Sequence, residues 1–469
     1  KLYIDGIRKP PVNLIPLCET PQDLNHLVSI LDMMLSNPYL KQVIIEKGEI
    51  VYVAGPSDLG KEGGIFAHIE LIEAEKNALT VLKKHQQLDA RLENVHLRVL
   101  NGLGTDIHRR VSHAFSQLFC TFQGSDACAL GEYGSYRAYV ERVTGKCSEN
   151  SLRALQLGVL QTEKPEEYQA LKQLVNEAIQ GYRKFIFHPA SLELFRQITI
   201  PYELGILTNT SSRGESKGSA PKDICKSRAI GLVNYDVASL FMMRLFMSAD
   251  GLVDLPESVQ MHMSSLYQQV ILIKEQVLKV LFSMAVSDEH RVIGKILGAE
   301  TSIERILSYS EQFKTDNSED PKQALAYALM RMPKIMRALL CFFPEHVRQS
   351  AMTFLDEAGK LSLADQALGL IHHLGQHDAI YLQLHQEINE DLKPRYQRLR
   401  QCLMHYQTYK TTFPEHAIRP IQENIILALR GDRQLTAGPK VISRLSLGTN
   451  AVLDLNLEPE AMQKPMSKL

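Results

Sequence analysis

The sequence lacks the paired cysteines of a metal cluster or a disulfide framework. Its seven cysteines are scattered, odd in number and never spaced as C-x-x-C: Cys18, Cys120, Cys128, Cys147, Cys225, Cys341 and Cys402. This usage argues against a structural zinc site and against a disulfide-stapled fold. It fits a reducing compartment, so we expect a cytoplasmic protein.

An excess of charge of either sign is also missing, since 52 Lys and Arg residues stand against 53 Asp and Glu residues. No overall positive field favours nucleic acid or an anionic membrane, so any anion site must be built locally. No apolar run approaches the roughly 18 residues that a spanning helix needs. The start, Lys1-Leu2-Tyr3, has neither an initiator Met nor a signal peptide, and we expect the sequence to begin inside a longer polypeptide.

The first half of the chain alternates short β-rich runs with amphipathic helices. A helix is predicted from about Gly64 to His85, where apolar residues recur on one stripe. Alternation of strand and helix implies a parallel α/β sheet or barrel. The predicted strands are Val12 to Leu17, Val43 to Ile45, Ile50 to Ala54 and His96 to Leu100.

After about Asp250 the strand signal fades and helical periodicity takes over. We therefore predict an α/β region with the active-site loops over residues 1–250, a helical bundle over residues 251–469, and a mostly α protein overall. One clear i, i+4 stripe is formed by Leu266, Val270, Ile273, Val277 and Leu281.

The string Gly55-Pro-Ser-Asp-Leu-Gly-Lys-Glu62 follows a predicted strand and opens a helix. It comes close to the nucleotide-binding pattern G-x-x-x-x-G-K-[ST], but Glu62 stands where a magnesium-binding hydroxyl is required. Asp58 and Lys61 at the carboxyl edge of a parallel strand suit a metal-bound, phosphate-bearing ligand. The alternative is a tight turn that merely starts a helix.

A second carboxylate, Glu19, ends another apolar strand. Two hard oxygen ligands on neighbouring strand ends suit magnesium, although strand-end acids are commonly just solvated.

A third string, from Arg98 to Arg110, joins small residues to the paired arginines Arg109 and Arg110. A glycine-containing loop can approach a phosphate closely, and arginine offers a forked donor for phosphate or carboxylate. The alternative is a surface turn with solvated basic residues.

Together these strings resemble the phosphoenolpyruvate carboxylase family in order and in character, over roughly residues 12 to 250. Six segments resemble family stretches in the same order. Pro16–Leu24 is similar to P-L-F-E-T-x-x-D-L, Pro56–Lys61 to Y-S-D-S-x-K and Cys120–Gly124 to V-T-x-Q-G. Tyr182–Arg183 is similar to Y-R, Ser212–Arg213 to G-S-R-P and Ser227–Ile230 to L-R-A-I-P-W.

The resemblance implies a lyase that forms oxaloacetate and phosphate from phosphoenolpyruvate and bicarbonate. Glu19 and Asp58 would bind Mg²⁺ or Mn²⁺. The fold would be an eight-stranded α/β barrel with many added helices, in a homo-oligomer that is commonly a tetramer. Catalytic roles fall to Arg109, Lys61 and Arg228, and substrate binding to Gln123, Arg213 and Arg228.

Several departures from the family pattern motivate an alternative. The family loop H-G-R-G-G is replaced by Asn101-Gly-Leu-Gly-Thr105. The family stretch W-T-Q-x-R is replaced by Asp236-Val-Ala-Ser-Leu240, so that Leu240 stands where the family has its arginine. The family's catalytic histidine lies upstream of this sequence, so activity would need the upstream polypeptide, and His188-Pro189 falls in the wrong region to replace it. The alternative is a catalytically inactive relative that serves as a scaffold or regulatory subunit.

One cluster outside the resemblance contains His372, His373 and His377, of which the last two could share a helix face as metal ligands. Gly375 between them, and the lack of a flanking acid, favour a surface helix end over a zinc site.

Overall fold

The computed structural model describes residues 15–18, 20–54, 56–101, 131–132, 164–198, 249–269, 271–298 and 302–392. Most of these residues are helical, as predicted. No helix within these ranges is both long enough and apolar enough to cross a bilayer.

A parallel sheet organises the first part of the chain. Its four strands lie in sequence order, each beside the next. They are β1 (Leu17–Cys18), β2 (Glu49–Ala54), β3 (His96–Asn101) and β4 (Gly131–Glu132). The predicted strands at Ile50 to Ala54 and His96 to Leu100 are confirmed, and the parallel α/β arrangement is confirmed for this segment.

The predicted strand at Val43 to Ile45 is wrong, because this segment belongs to helix α2 (Pro38–Lys47). The Asn37 side chain caps that helix by accepting hydrogen bonds from the next free backbone N–H groups, and Gly48 ends it with a left-handed φ of 70°. Only Ile44 of the three apolar residues is buried. The run is therefore part of a helix, in which three consecutive residues point in different directions, rather than a strand.

Three further helices surround the sheet segment. The predicted helix from Gly64 to His85 is confirmed with its ends displaced, since it runs from Ala67 to Leu88. Gly64, with a φ of 75°, separates it from the short helix before it. The helices are α1 (Pro21–Ser36), α3 (Pro56–Gly63) and α4 (Ala67–Leu88).

The rest of the described chain is helical. The predicted stripe from Leu266 to Leu281 is divided between two helices that meet at residue 270, and its described members are buried. The helices are α5 (Pro165–Ile186), α6 (Pro189–Ile198), α7 (Glu257–Gln269), α8 (Ile271–Ala285), α9 (Glu289–Leu297), α10 (Ile303–Thr315), α11 (Pro321–Leu339), α12 (Glu345–Glu357), α13 (Leu363–Gly375) and α14 (Ala379–Glu387).

The apolar core runs across residue 250 without interruption. The ring centroids of Phe185 on α5 and Phe313 on α10 lie 5.6 Å apart, and Phe313 stacks on Tyr327 of α11 at 4.4 Å. A Cβ added at Gly181 would lie 2.6 Å from the backbone nitrogen of Gly251, so α5 meets the next segment backbone to backbone. The boundary near residue 250 stays a prediction.

A buried ionic cluster joins α11 to the short 3-10 helix Asp250–Asp254. Asp250 is 4% exposed and accepts a hydrogen bond from the Tyr327 hydroxyl at 2.9 Å. Its carboxylate also pairs with the guanidinium of Arg331, which reaches Asp254 at 2.7 Å. The cluster satisfies a carboxylate that would otherwise be costly to bury.

Candidate functional site at the carboxyl edge of the sheet

The four parallel strands end in one row. Cys18 pairs with Ala54, Ala54 with Asn101, and Asn101 with Glu132. The segments that follow the strands therefore leave from the same edge of the sheet. In parallel α/β proteins this edge is where ligands bind.

Two of the predicted site residues come directly after neighbouring strands. Glu19 follows Cys18, the last residue of β1, and lies itself outside the described residues. Asp58 lies in the first turn of α3, which begins two positions after β2 ends at Ala54. Since paired strands lie about 4.8 Å apart, the sheet places Cys18 and Ala54, the last strand residues before these acids, side by side. That both carboxylates bind one ion stays a prediction.

Helix α3 places the backbone of Lys61 one turn after Asp58. In a nucleotide-binding loop the segment between the two glycines stays open, and its N–H groups wrap the phosphates. Here Pro56 to Gly60 already form the helix, and the N–H of Gly64 donates to the Gly60 carbonyl at 3.1 Å. The helical backbone speaks against the nucleotide-binding alternative. The N-terminus of α3 still favours an anion at this edge, because the first backbone N–H groups of a helix have no partner within the helix.

The position of α3 is fixed by packing on its inner side. Leu59 is 1% exposed, and Phe66, in the turn that follows, is fully buried. A Cβ on Gly63 would lie 2.7 Å from the Cβ of Ala67, so the small residue allows the sharp passage into α4. The first turn of α3 is therefore held at the strand edge by buried side chains.

Cys18, immediately before Glu19, is an unsuitable nucleophile. Its side chain is 2% exposed, and burial, followed by the charge of Asp23, raises the pKa of the thiol to about 11. The thiol stays protonated at neutral pH and acts as a small apolar core residue.

Between α4 and α5 lies a polar cluster that the sequence patterns did not single out. The Tyr168 hydroxyl donates to Glu73 at 2.6 Å, and the Lys172 ammonium lies 3.1 Å from the same carboxylate. Burial, and then the neighbouring Glu73, raise the pKa of the half-buried Glu70. The spacings E-x-x-E and Y-x-x-x-K at one face of each helix were the available signals, but they do not reveal that the two helices meet.

His188 has a structural role. Its Nδ1 accepts the N–H of Ala190 at 3.2 Å and so caps α6, which leaves Nε2–H to donate to the Asp316 carbonyl at 2.9 Å. The ring also stacks on Phe313 at 4.0 Å. Both ring nitrogens are occupied, which agrees with the interpretation that His188 does not replace a catalytic histidine.

The remaining predicted site residues lie outside the described residues. They are Arg109, Gln123, Arg213 and Arg228.

Comparison with known proteins gives a consistent set of distant relatives, although no family model matches the chain. It is 26% identical over 240 residues to the phosphoenolpyruvate carboxylase of Rhodopseudomonas palustris strain BisB5, which is 48% of this chain and 24% of that protein. The phosphoenolpyruvate carboxylase of Corynebacterium diphtheriae is 27% identical over 214 residues, 43% of this chain and 23% of that protein. That of Azorhizobium caulinodans is 26% identical over 238 residues, 47% of this chain and 23% of that protein. The matched region thus spans about a quarter of the length of each relative.

Proposed function

Because the chain is a divergent relative of the phosphoenolpyruvate carboxylases, we propose that it forms the metal- and substrate-binding part of a carboxylating lyase. The enzyme would convert phosphoenolpyruvate and bicarbonate to oxaloacetate and phosphate with Mg²⁺ or Mn²⁺. We further propose a cytoplasmic homo-oligomer that acts together with the upstream polypeptide.

The observation that carries the proposal is the row of strand ends. Cys18, Ala54 and Asn101 are neighbours at one sheet edge, and each is followed by a segment that the family resemblance marks as functional. In sequence, a carboxylate follows β1, a helix with an acid and a lysine follows β2, and paired arginines follow β3. Such a set suits an anionic substrate held through a hard cation.

The strand order also supports the proposed eight-stranded barrel. In a doubly wound sheet the order reverses at a switch point, whereas barrel strands follow one another in sequence order. The four described strands lie in sequence order, as barrel strands do. The remaining strands of the proposed barrel would come from parts of the polypeptide beyond these four.

The proposed reaction moves a phosphoryl group first. The bond between phosphorus and the enol oxygen of phosphoenolpyruvate breaks while bicarbonate oxygen bonds to phosphorus, which gives carboxyphosphate and the pyruvate enolate. Carboxyphosphate then releases carbon dioxide and phosphate, and the enolate carbon attacks the carbon dioxide to give oxaloacetate. Negative charge develops on the enolate oxygen and on the transferring group, so fixed positive charge lowers the barrier.

Residues of this chain would supply that charge. Glu19 and Asp58 would hold the metal ion, which would supply Lewis-acid stabilisation of the developing negative charge. The remaining groups would bind the phosphate and carboxylates or close over them: Lys61, Arg109, Gln123, Arg213 and Arg228.

A catalytically inactive relative is the second candidate, and the departures at Leu103 and Leu240 favour it. Leu103 follows β3 in the sequence, at a position where the family pattern carries an arginine. An inactive relative could keep the metal site and lose turnover, so binding and turnover must be measured separately.

The metal site is tested by titration of Mn²⁺ into the wild-type chain and into Glu19→Gln and Asp58→Asn. Both changes keep shape and remove charge, so each is expected to weaken Mn²⁺ binding strongly, because a neutral amide is a poorer ligand for a hard cation. Glu49→Gln is the matched control, since Glu49 begins β2 at the opposite end of the strand. Unchanged binding in both site variants removes these residues from the proposed site.

Turnover is tested in the polypeptide that contains this sequence together with its upstream part. Arg109→Ala is expected to lower bicarbonate-dependent oxaloacetate formation on the order of a hundredfold, as the loss of one preorganised donor does, while Arg110→Ala serves as the neighbouring control. Intact metal binding with no turnover in the wild type would instead support the inactive relative.

A further inference from the structure

Five histidines gather on the three consecutive helices α12, α13 and α14 and on the turn between α13 and α14, far along the chain from the strand edge. They are His346, His372, His373, His377 and His385. The proposed carboxylase chemistry uses none of them.

The imidazole rings of this group lie close to one another. The ring centroids of His373 and His377 are 6.1 Å apart, and those of His346 and His377 are 5.9 Å apart. His372 and His385 form a separate pair at 4.7 Å, in which Nε2 of His385 is already hydrogen-bonded to Asn389 at 3.1 Å. His377 is thus the central ring of the first group.

His373 offers a nitrogen without a partner. Its Nε2 atom is buried and has no hydrogen bond, although the ring is held by stacking on Phe354 at 5.9 Å. Burial, followed by the charges of His377 and His372, lowers the pKa of the His373 ring. A neutral imidazole with a free lone pair is the form that binds metal ions.

The turn that carries His377 is rigidly held. Its N–H donates to the Leu374 carbonyl at 3.0 Å, and a Cβ on Gly375 would lie 2.8 Å from the backbone nitrogen of Leu382. The end of α13 therefore packs directly on α14. This packing keeps His377 beside His373 although the helix has ended between them.

We propose that His373 and His377 together bind one divalent transition-metal ion of the zinc, nickel and copper class. A ligating imidazole nitrogen lies about 2 Å from such an ion, which puts each ring centre roughly 3 Å away, so two ligating rings can be up to roughly 6 Å apart. The observed separation of 6.1 Å is at that limit, which is reached only when the two rings lie on opposite sides of the ion, so the exposed His377 ring must rotate toward His373 to bind at the smaller angle of a tetrahedral site. Water molecules complete the coordination, since no three potential ligands converge on one point among the residues that the structure describes.

The chemistry of the surroundings selects the class of ion. The nearest acid in sequence, Asp378, is occupied, because its carboxylate pairs with Lys274 and caps α14 through the N–H of Ile380. The donors are then neutral nitrogens, which favour the borderline ions nickel, copper and zinc over hard ions, with copper bound most tightly. Magnesium, which requires oxygen ligands, is not expected to compete here.

The test is a calorimetric titration of the full chain with Ni²⁺ in excess Mg²⁺. His373→Gln and His377→Gln are each expected to lose one equivalent of bound Ni²⁺ relative to wild type. His262→Gln, on α7 and outside the cluster, is expected to keep it. Loss of bound Ni²⁺ in His373→Gln and His377→Gln, but not in His262→Gln, supports the site. Unchanged Ni²⁺ stoichiometry and affinity in both cluster variants overturns the proposal.

A second measurement guards against an effect of misfolding. Ni²⁺ that binds the folded chain raises its melting temperature, so the rise is expected in wild type and in His262→Gln and is expected to shrink in His377→Gln. His377 is exposed, so its substitution should leave the metal-free melting temperature unchanged. An equal rise in His377→Gln, or displacement of Ni²⁺ by Mg²⁺, contradicts the proposal.

Discussion

The ionic cluster around Arg331 permits a prediction with an internal control, because one guanidinium serves two carboxylates in opposite environments. The Asp250 side chain is 5% exposed, whereas that of Asp254 is 75% exposed. Asp250→Ala leaves a largely buried guanidinium short of one partner and the Tyr327 hydroxyl without its acceptor. Removing one member of a buried pair typically costs about 3–5 kcal/mol, whereas an exposed pair contributes about 0–1 kcal/mol.

We expect Asp250→Ala to lose about 3 kcal/mol, near the lower end of that range, since Arg331 keeps Asp254 and the backbone carbonyl of residue 250. Asp254→Ala is expected to lose less than about 1 kcal/mol. The measurement is urea unfolding followed by far-ultraviolet circular dichroism, compared through the midpoint at a common slope. Equal losses in the two variants would refute the reasoning that burial, rather than the contact itself, sets the magnitude.

Two further pairs of variants test packing and charge. Because the pKa of Glu70 is raised in the folded state, its charged form destabilises the protein at pH values above its ordinary pKa of 4.5. Glu70→Gln should therefore raise the melting temperature at neutral pH. The gain should vanish as the pH falls toward 4.5. Glu73→Gln weakens the contacts of Glu73 with Tyr168 and Lys172, so it should lower the melting temperature by an amount equivalent to about 1–3 kcal/mol. A lower melting temperature in both variants at neutral pH would contradict the expectation that the Glu70 charge is destabilising. Gly251→Ala should cost about 1–3 kcal/mol or more in chemical unfolding, since its Cβ would clash with the Glu177 carbonyl. Gly294→Ala, with open space around a helical glycine, should gain about 0.5–1 kcal/mol, and the same sign for both would refute the packing argument.

The sequence predicted those features that depend on local periodicity. The alternating runs that became β2 and β3 were recognised, and so was the helical character of the described residues after 250. The predicted strand at Val43–Ile45 was wrong because a run of three apolar residues is too short to distinguish a strand from a helix. The decisive signals were the flanking cap Asn37 and the terminal Gly48, which define a helix regardless of the residues between them.

The features that escaped prediction depend on contacts distant in sequence. Tyr168 and Glu73 are 95 positions apart, and no local pattern indicates that α4 and α5 meet there. The same holds for Asp250 and Arg331, whose pairing needs the packing of α11 against an unrelated turn. At the strand edge, by contrast, Glu19 and Asp58 each follow a predicted strand, and the family resemblance marks both as metal ligands, which is why that pair could be proposed from the sequence.

The uninterrupted core across residue 250 bears on how the protein loses its structure. The inner faces of α5 and α6, with Phe185 and Phe195 almost fully buried, are covered by helices that come after that position. Regions that cover one another's apolar surface open together, as one cooperative unit. Hydrogen exchange at the amides of α5 and α11 should therefore report a common opening free energy, and a protease should find no early cleavage point between these two helices within the described segments.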